Sequence, residues 1–289
     1  MTAPTRPIIR YHGGKWRIAP WIVEHLPPHR MYVEPFGGAA SVLMRKPRAP
    51  FEVYNDLDDE IVNLFRVLRD PDTAAQLRQL IELTPYSRVE LRAAYGSTED
   101  PVERARLTVV RASMGYGSAA ATRGHRTGFR VQRGGRTSPA SDFATWPAQV
   151  PAIVERLRGV VIECRPALEC VLRFEQPDTL IYVDPPYVHD TRCDVSANKY
   201  YRHEMSDAEH ESLLLALRAS PAMVVVSGYR SPLYDDLLGD WHRLDTVAWA
   251  SGRVSSVRRT ECLWLNAPAI AAGALHNSLQ FNSPAPRLS

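Results

Sequence analysis

The sequence contains no run of about 18 or more apolar residues, the length that a membrane-spanning helix requires. Residues 1–7 also lack the apolar stretch of a secretory signal peptide. We therefore expect neither membrane insertion nor export, and a cytoplasmic protein. With 289 residues, of which 45% are hydrophobic, the chain can bury a sizeable core in one large domain or two smaller ones.

Cysteine is scarce, and the charges nearly balance. The four cysteines form no Cys-x-x-Cys pair and have no histidine at zinc-ligand spacing, so we expect reduced thiols and no metal. The net charge of +3 is too small to indicate nucleic-acid binding by itself, so a basic surface would have to be local. The cysteines are Cys164, Cys170, Cys193 and Cys262.

The most informative motif is an apolar strand, 179–183, that runs directly into Asp184-Pro185-Pro186-Tyr187. Each proline fixes its φ angle at about −65° and donates no backbone hydrogen bond, so the turn is stiff. The Asp184 carboxylate and the Pro185 carbonyl can each accept one N–H of a planar amino group, while Tyr187 stacks on the attached ring. The motif alone is equally compatible with a solvated aspartate that opens a proline turn.

A strand, a glycine turn and a helix near the N-terminus are typical of a nucleotide-binding unit. The strand from Met31 leads into Glu34-Pro35-Phe36-Gly37-Gly38, and the three-glycine spacing of dinucleotide sites and the Lys-Ser/Thr pair of phosphate loops are both missing. A second strand, 51–55, ends at Asp56, which is placed to accept from ribose hydroxyls or to cap the next helix. An adenosine-containing ligand without a phosphate chain fits this pattern.

The alternation of strands and helices is interrupted between 71 and 158. Residues 71–115 read as helices, and 116–141 form a glycine-rich segment with five arginines and no acidic residue. Such a segment favours a flexible arm or hairpin that contacts DNA phosphates and base edges, although a solvated loop has the same composition. The arginines that we expect to contact DNA are Arg123, Arg126, Arg130 and Arg133.

Alternation resumes after this segment and continues to a hairpin-like pair of late strands. A helix over 206–219 is indicated by the cap Ser206 with Glu209 three residues later. The tail 267–289 lacks periodicity, and we expect it to be disordered. The other predicted elements are a helix over 146–158, a strand over 159–163, a helix over 167–174, and strands over 222–226, 242–249 and 261–265.

Four ordered motifs, Tyr-His-Gly-Gly-Lys, Glu-Pro-Phe-Gly-Gly, Asn-Asp and Asp-Pro-Pro-Tyr, resemble those of the Dam-type family of adenine-specific DNA methyltransferases, over residues 8 to about 266. The resemblance implies an α/β fold with a Rossmann-like methyltransferase sheet in residues 1–70 and 159–266, and an inserted, mostly helical target-recognition domain in 71–158. It also implies S-adenosylmethionine as donor, double-stranded DNA as substrate, no metal, a monomer, and a bacterial or phage-infected cell. Residues 201–205 and 259–261 look like those of phage- and prophage-borne members.

The resemblance also implies the site residues. Lys15 is expected near the donor carboxylate, Asp56 on the ribose hydroxyls, and Asp184 at both the donor and the target base. Family members often carry an acid where this chain has Cys164-Arg165-Pro166, so no donor-adenine contact is assigned there. The basic segment also lacks the Asn-Gly-Leu and Arg-x-Asn sequences of members that read GATC, so the target sequence is not assigned. The implied donor-binding residues are Tyr11, Lys15, Glu34, Phe36, Gly37, Gly38, Asp56 and Asp184, and the catalytic residues are Asp184, Pro185 and Tyr187.

Two alternatives stay open at this point. Methylation of cytosine N4 would use the same logic, although serine more often replaces the acid there, and protein-glutamine enzymes more often carry asparagine. Asp184 therefore favours adenine N6. A catalytically silent DNA-binding regulator of the same fold is the other alternative, against which the intact Lys15, Asp56 and Asp184 argue.

Overall fold

The structure is a computed structural model that describes residues 3–117, 120, 126–131, 138–188, 201–251 and 256–274. Within these residues seven strands form one sheet. The strands are β1 (Met31–Glu34), β2 (Phe51–Asn55), β3 (Val160–Glu163), β4 (Thr179–Val183), β5 (Met223–Gly228), β6 (His242–Ser251) and β7 (Ser256–Leu265). Their order is β3-β2-β1-β4-β5-β7-β6.

The first five strands are parallel, and the last two are not. β1 pairs with β2 and β4 in parallel, β2 with β3, and β4 with β5. β7 is antiparallel to both β5 and β6. The chain order therefore reverses between β1 and β4, and open α/β sheets bind ligands at the carboxyl ends of the strands beside such a reversal. The predicted α/β sheet and the late hairpin are confirmed.

Helices connect the strands. Asp70 and Asp100 cap two of them at Asp-Pro sequences, and Ser206 with Glu209 forms a capping box at another. The helices are α1 (Ala19–Glu24), α2 (Ser41–Arg45), α3 (Asp59–Arg69), α4 (Pro71–Leu83), α5 (Arg88–Ala93), α6 (Pro101–Met114), α7 (Pro139–Ala144), α8 (Val150–Leu157), α9 (Ala167–Phe174), α10 (Asp207–Ala219), α11 (Pro232–Leu237) and α12 (Ala267–Ala271), with a 3-10 helix at Trp146–Gln149.

The core has one hydrophobic cluster on each face of the sheet. Successive residues of a strand point to opposite faces, so Tyr182 joins one cluster and its neighbour Val183 the other. Every residue of β4 and β5 is buried, as expected for parallel strands that are covered on both faces. None of the described helices has the length and apolarity that are needed to cross a bilayer.

The helices between β2 and β3 pack onto one of these clusters. Leu77, Val109 and Ile153, from α4, α6 and α8, belong to the same hydrophobic cluster as Tyr32 and Tyr182 of the sheet. These helices therefore share one hydrophobic core with the sheet. The division of the chain into a catalytic domain and a recognition domain stays a prediction.

A buried ion network also joins these helices to the sheet. The Glu52 carboxylate on β2 accepts from Arg156 of α8 at 2.6 and 2.9 Å and from Lys46 Nζ at 2.7 Å. All three side chains are buried, and Arg156 also donates to the Leu43 carbonyl at 2.5 Å. Burial opposes the charge on Glu52, but Arg156 and Lys46 outweigh it and lower the pKa of this carboxyl below its usual value.

Three local expectations differ from the structure. The apolar spacing of residues 15–26 predicts a helix from Lys15 to Leu26, but the helix in the structure begins only at Ala19 and ends at Glu24. The short helices α7 and α11 were not predicted, although each begins with a Ser-Pro pair whose serine is the cap. The start of the tail is not disordered: Asn266 caps α12, and Ala269 is buried. Small residues such as alanine can be buried in a helix even where the sequence shows no helical spacing of apolar residues. Residues 275–289 lie outside the described part of the chain.

Candidate active site

The Asp184 carboxylate lies directly after β4 and is held by two neighbours. Its Oδ1 atom is 2.7 Å from Lys15 Nζ and accepts from Ser227 Oγ at 2.9 Å. Ser227 belongs to β5 and also contacts the Tyr182 hydroxyl at 2.8 Å. Within the described part of the chain, the contacts to Asp184 fall on Oδ1, so Oδ2 keeps its acceptor capacity. The side chain is 17% exposed, which allows a substrate to reach it.

Lys15 is almost completely buried beside this carboxylate, with 5% of its side chain exposed. Its ammonium donates to the Tyr187 hydroxyl at 2.7 Å and to the Gly13 carbonyl at 3.1 Å, and lies 3.5 Å from Glu261 Oε1. Burial opposes the charge, but the Asp184 and Glu261 carboxylates outweigh it and raise the pKa of Lys15 well above its usual value. The structure thus places Lys15 against two protein carboxylates, which the sequence did not predict.

Both the hydroxyl and the ring of Tyr187 are held by neighbouring residues. The hydroxyl donates to both oxygens of Glu261 at 3.2 Å, and the ring stacks on Tyr229 with the centroids 4.3 Å apart. Pro185, between Asp184 and Tyr187, is buried. Glu261 and Tyr229 were absent from the predicted site. The signals for Glu261 were a single acid next to the apolar stretch 262–265 and the resemblance of 259–261 to phage-borne members, and neither gave it a role in the site.

The glycine turn after β1 requires glycine for steric reasons. Gly37 donates its N–H to the Asn55 carbonyl at 2.8 Å, and a Cβ atom there would lie 2.1 Å from the Tyr54 ring. Gly38 has a φ angle of +47°, in the left-handed region, and a Cβ would lie 2.8 Å from the Tyr11 ring. Two aromatic rings therefore pack directly against the turn.

Glu34 supports the same turn from the end of β1. Its Oε2 accepts from the Tyr32 hydroxyl at 2.9 Å and from the Leu43 N–H at 3.1 Å. Burial raises the pKa of Glu34 to about 8, so the protonated form predominates at neutral pH. Its contacts tie β1 to the start of α2, and it also borders the cavity described below.

Asp56 and Asp58 lie at the end of β2. Asp56 accepts from the N–H groups of Gly38 at 2.7 Å and Asp58 at 2.8 Å, and burial raises its pKa to about 6. Asp58 is the residue that caps α3, through Glu60 N–H at 3.1 Å, so the alternative role of Asp56 as this cap is wrong. Asp58 Oδ1 also pairs with Arg202 at 2.8 Å, whereas its Oδ2 is buried and has no hydrogen-bond partner among the described residues.

Asp184, Lys15, Glu34, Asp56 and Asp58 border one cavity of about 350 Å³, whereas Pro185 and Tyr187 are not among its lining residues. It spans the carboxyl ends of β2, β1 and β4, beside the reversal in strand order. Apolar side chains, including Phe36 and Leu168, line part of its wall. Pro166, from the triplet Cys164-Arg165-Pro166 to which no donor contact was assigned, also lines the cavity. The structure brings all the predicted donor-binding residues together here, namely Tyr11, Lys15, Glu34, Phe36, Gly37, Gly38, Asp56 and Asp184.

Only part of the basic segment falls within the described residues. Arg126 is exposed, and Arg130 lies 3.8 Å from the Asp142 carboxylate. Gly115 and Phe129 form an antiparallel bridge, which anchors residues 126–131 at the end of α6. Arg123 and Arg133 lie outside the described residues.

The cysteines and acidic residues bear on the prediction that the protein holds no metal. Of the cysteines, Cys164, Cys170 and Cys262 are free, and Cys193 lies outside the described residues. In the part of the chain that the structure covers, no group of three or more histidine, cysteine, aspartate or glutamate side chains is arranged to hold a metal ion.

Comparisons with known proteins agree with this arrangement. Residues 11–246 match the family of D12 class N6 adenine-specific DNA methyltransferases. The chain is 24% identical over 187 residues to a DNA adenine methylase of Salmonella typhi, and 25% identical over 190 residues to one of Vibrio cholerae serotype O1. Each alignment covers 63% of this chain and 65% of the relative, so the chain spans slightly less than two thirds of their length.

A longer alignment joins the chain to a third protein. It is 26% identical over 273 residues to the Type II methyltransferase M1.LlaDCHI of Lactococcus lactis subsp. cremoris, which covers 87% of this chain and 91% of the relative.

Proposed function

This chain belongs to the D12 class of N6 adenine-specific DNA methyltransferases, and we propose that it transfers a methyl group from S-adenosylmethionine to the N6 amino group of an adenine in double-stranded DNA. The observation that carries the proposal is the Asp184 carboxylate, held by Lys15 and Ser227 at the rim of the cavity with Oδ2 still able to accept. We further propose a monomeric enzyme that acts in the cytoplasm of a bacterial or phage-infected cell.

The residues of the cavity fit the donor. Asp56 would accept from the ribose hydroxyls, and the buried Oδ2 of Asp58, which has no partner within the described part of the chain, would supply a second acceptor. Phe36 and Leu168 offer an apolar surface to the donor adenine. When bound, the donor supplies an electrophilic methyl group on a positively charged sulfur.

The catalytic corner would activate a weak nucleophile. The lone pair of an adenine amino group is delocalised into the ring, and two acceptors, Asp184 Oδ2 and the Pro185 carbonyl, would draw the nitrogen toward a geometry in which the lone pair points outward. Tyr187 would stack on the base after it leaves the duplex. Asp184 would also take up the proton that the amine releases on methylation.

Methylation-sensitive sequencing tests this function. DNA from cells that express the chain should carry N6-methyladenine in one defined context, and DNA from cells that express Asp184→Ala should lack it. Methylcytosine in place of methyladenine would favour the cytosine-N4 alternative. Unmodified DNA together with no donor binding would identify a silent DNA-binding regulator.

The charge of Asp56 should make donor binding depend on pH. Since burial raises the pKa of Asp56 to about 6, its accepting carboxylate predominates only above that pH. Donor binding favours the charged form, so the affinity should fall by up to about tenfold per pH unit below 6 and be flat near pH 8. Calorimetric titrations between pH 5 and 8 measure this dependence.

The control separates Asp56 from other acids. Asp56→Asn keeps one acceptor oxygen for the turn but cannot ionise, so it should bind the donor more weakly by about 1–3 kcal/mol at pH 8 and lose the acidic decline. Asp72→Asn, an exposed acid at the start of α4, should match the parent. An undiminished decline in Asp56→Asn would assign the titration to another group.

We propose that the helical segment 71–158 and its basic residues bind the DNA duplex. Replacing the exposed Arg126 with alanine should lower the slope of log affinity against log salt by about one unit, because a lost phosphate contact releases one counterion fewer. Arg130→Ala should have a smaller effect, since Asp142 already lies near that guanidinium. Salt titrations of DNA binding measure both slopes.

Arg173→Ala provides the control, because it removes the same charge from an exposed position on α9, outside the segment 71–158. It should leave the slope near that of the parent. Equal slopes for Arg126→Ala and the parent would show that this arginine does not contact the DNA backbone.

A further inference from the structure

A second buried acid lies beside the catalytic corner and has no part in the transfer described so far. Glu261, on β7, is 2% exposed and is followed by the buried apolar stretch 262–265. An ionised carboxylate in such surroundings is costly unless it is paired and hydrogen-bonded. Its partners are Lys15, at 3.5 Å, and the Tyr187 hydroxyl, at 3.2 Å from each carboxylate oxygen.

The first consequence of this placement is electrostatic. One ammonium, that of Lys15, serves two carboxylates, at 2.7 Å from Asp184 and 3.5 Å from Glu261. With Asp184 as the single partner, Lys15 would neutralise it, and the target amine would meet a balanced ion pair. Burial raises the pKa of Glu261, and the Lys15 ammonium opposes that shift. In its ionised form, Glu261 leaves the cluster with one net negative charge, which strengthens Asp184 as an acceptor for N–H groups.

The second consequence is geometric. The Tyr187 hydroxyl accepts from Lys15 at 2.7 Å and donates to Glu261, so both of its hydrogen-bonding directions are used. A phenol held in this way has a fixed ring, which would form the stacking wall for the base. On the same face of β7, Arg259 lies 5.7 Å from the Tyr229 ring that stacks on Tyr187.

We propose that Glu261 is a positioning residue for methyl transfer, which divides the Lys15 ammonium between two carboxylates and fixes the Tyr187 ring. This inference rests on the proposed methyltransferase function. Among the described residues, Glu261 contacts the catalytic corner through Lys15 and Tyr187, so it would act on the rate of transfer and not on donor or DNA binding.

Two substitutions separate its charge from its hydrogen bond. Glu261→Gln keeps the size and an acceptor for the Tyr187 hydroxyl but removes the charge, whereas Tyr187→Phe keeps both charges and removes the hydroxyl. Asp245→Asn makes the same chemical change at an exposed acid on the neighbouring strand β6 and is the matched control. The measurements are single-turnover methylation rate at saturating donor and DNA, donor affinity by calorimetry, and melting temperature.

Glu261→Gln should methylate about 10- to 100-fold more slowly, with donor affinity within about twofold of the parent. Since Glu261 acts partly through its hydrogen bond with Tyr187, the effects of Glu261→Gln and Tyr187→Phe on the methylation rate should not be independent. The variant that carries both substitutions should therefore lose less rate than the product of the two single losses. Asp245→Asn should match the parent in rate. This split between rate and binding would not arise if Glu261 only stabilised the fold.

A rate for Glu261→Gln equal to that of an active parent would overturn the inference. So would a rate loss matched by an equal loss of donor affinity and a lower melting temperature, because that combination indicates a structural role. A parent that methylates cytosine would overturn the adenine proposal instead, and the same rate comparison on cytosine would still decide the role of Glu261.

Discussion

Replacing Asp184 with alanine should lower the methylation rate at saturating donor and DNA by about a hundredfold or more. The substitution removes the side chain that would accept from the target amine, whereas the prolines and the strand that carries them stay in place. It also leaves Lys15 with Glu261 as its remaining carboxylate partner, so the folded state keeps a neutral pair. Single-turnover assays with radiolabelled donor measure the rate.

Asp178→Ala is the matched control for Asp184→Ala. Asp178 lies just before β4 at the opposite end of the same strand, its side chain is exposed, and its backbone carbonyl accepts from Met31 N–H at 3.3 Å regardless of the side chain. Its rate should equal that of the parent. Adenine methylation by Asp184→Ala at a rate close to the parent's would return Asp184 to the role of a structural turn residue.

Glu52→Ala should cost about 3–5 kcal/mol of unfolding free energy, the typical effect of removing one partner from a buried ion network. The change leaves the buried Arg156 and Lys46 cations without their carboxylate. Since Arg156 belongs to α8 and Glu52 to β2, the loss falls on the contact between the helical segment and the sheet. Urea unfolding monitored by circular dichroism measures it.

Glu82→Ala, at an exposed position on α4, is the control and should change the unfolding free energy by less than about 0.5 kcal/mol. The pKa of Glu52 is lowered in the folded state. The ion network therefore stabilises the fold at pH values above the ordinary pKa of a glutamate, and this stabilisation is lost as the pH falls below that value. The difference between Glu52→Ala and the parent should therefore shrink in acid. A difference that does not vary between pH 7 and pH 3 would contradict this assignment.

The catalytic strand was predictable because its signals are local. An unbroken apolar run predicts a buried parallel strand, and two prolines after Asp184 end it at the residue that the structure shows. The glycine turn and Asp56 were predicted for the same reason, and the reversal in strand order then brings both motifs to one cavity. Local strand and turn preferences, together with the resemblance of the motifs, were sufficient to predict strand β4, the glycine turn and the position of Asp56.

Contacts between distant parts of the chain were not predictable in this way. Glu261 meets Tyr187 because β7 inserts antiparallel between β5 and β6, and no local pattern specifies that position in the sheet. Asp58, not Asp56, caps α3, because Asp56 turns its carboxylate back to the glycine turn. The first case depends on tertiary placement. The second depends on the start of α3 at Asp59, which makes Asp58 the acid directly before the helix.

The stack of Tyr187 on Tyr229 bears on how the enzyme would discriminate between bases. Rings whose centroids are 4.3 Å apart leave no gap for a third ring, so a base that enters on that face must take the place of Tyr229. One aromatic partner is then exchanged for another, and the stacking energies largely cancel in the balance. Stacking on this face would then contribute little to the choice of base. Since cytosine carries an amino group as well, the choice of adenine would fall to groups that contact the rest of the base.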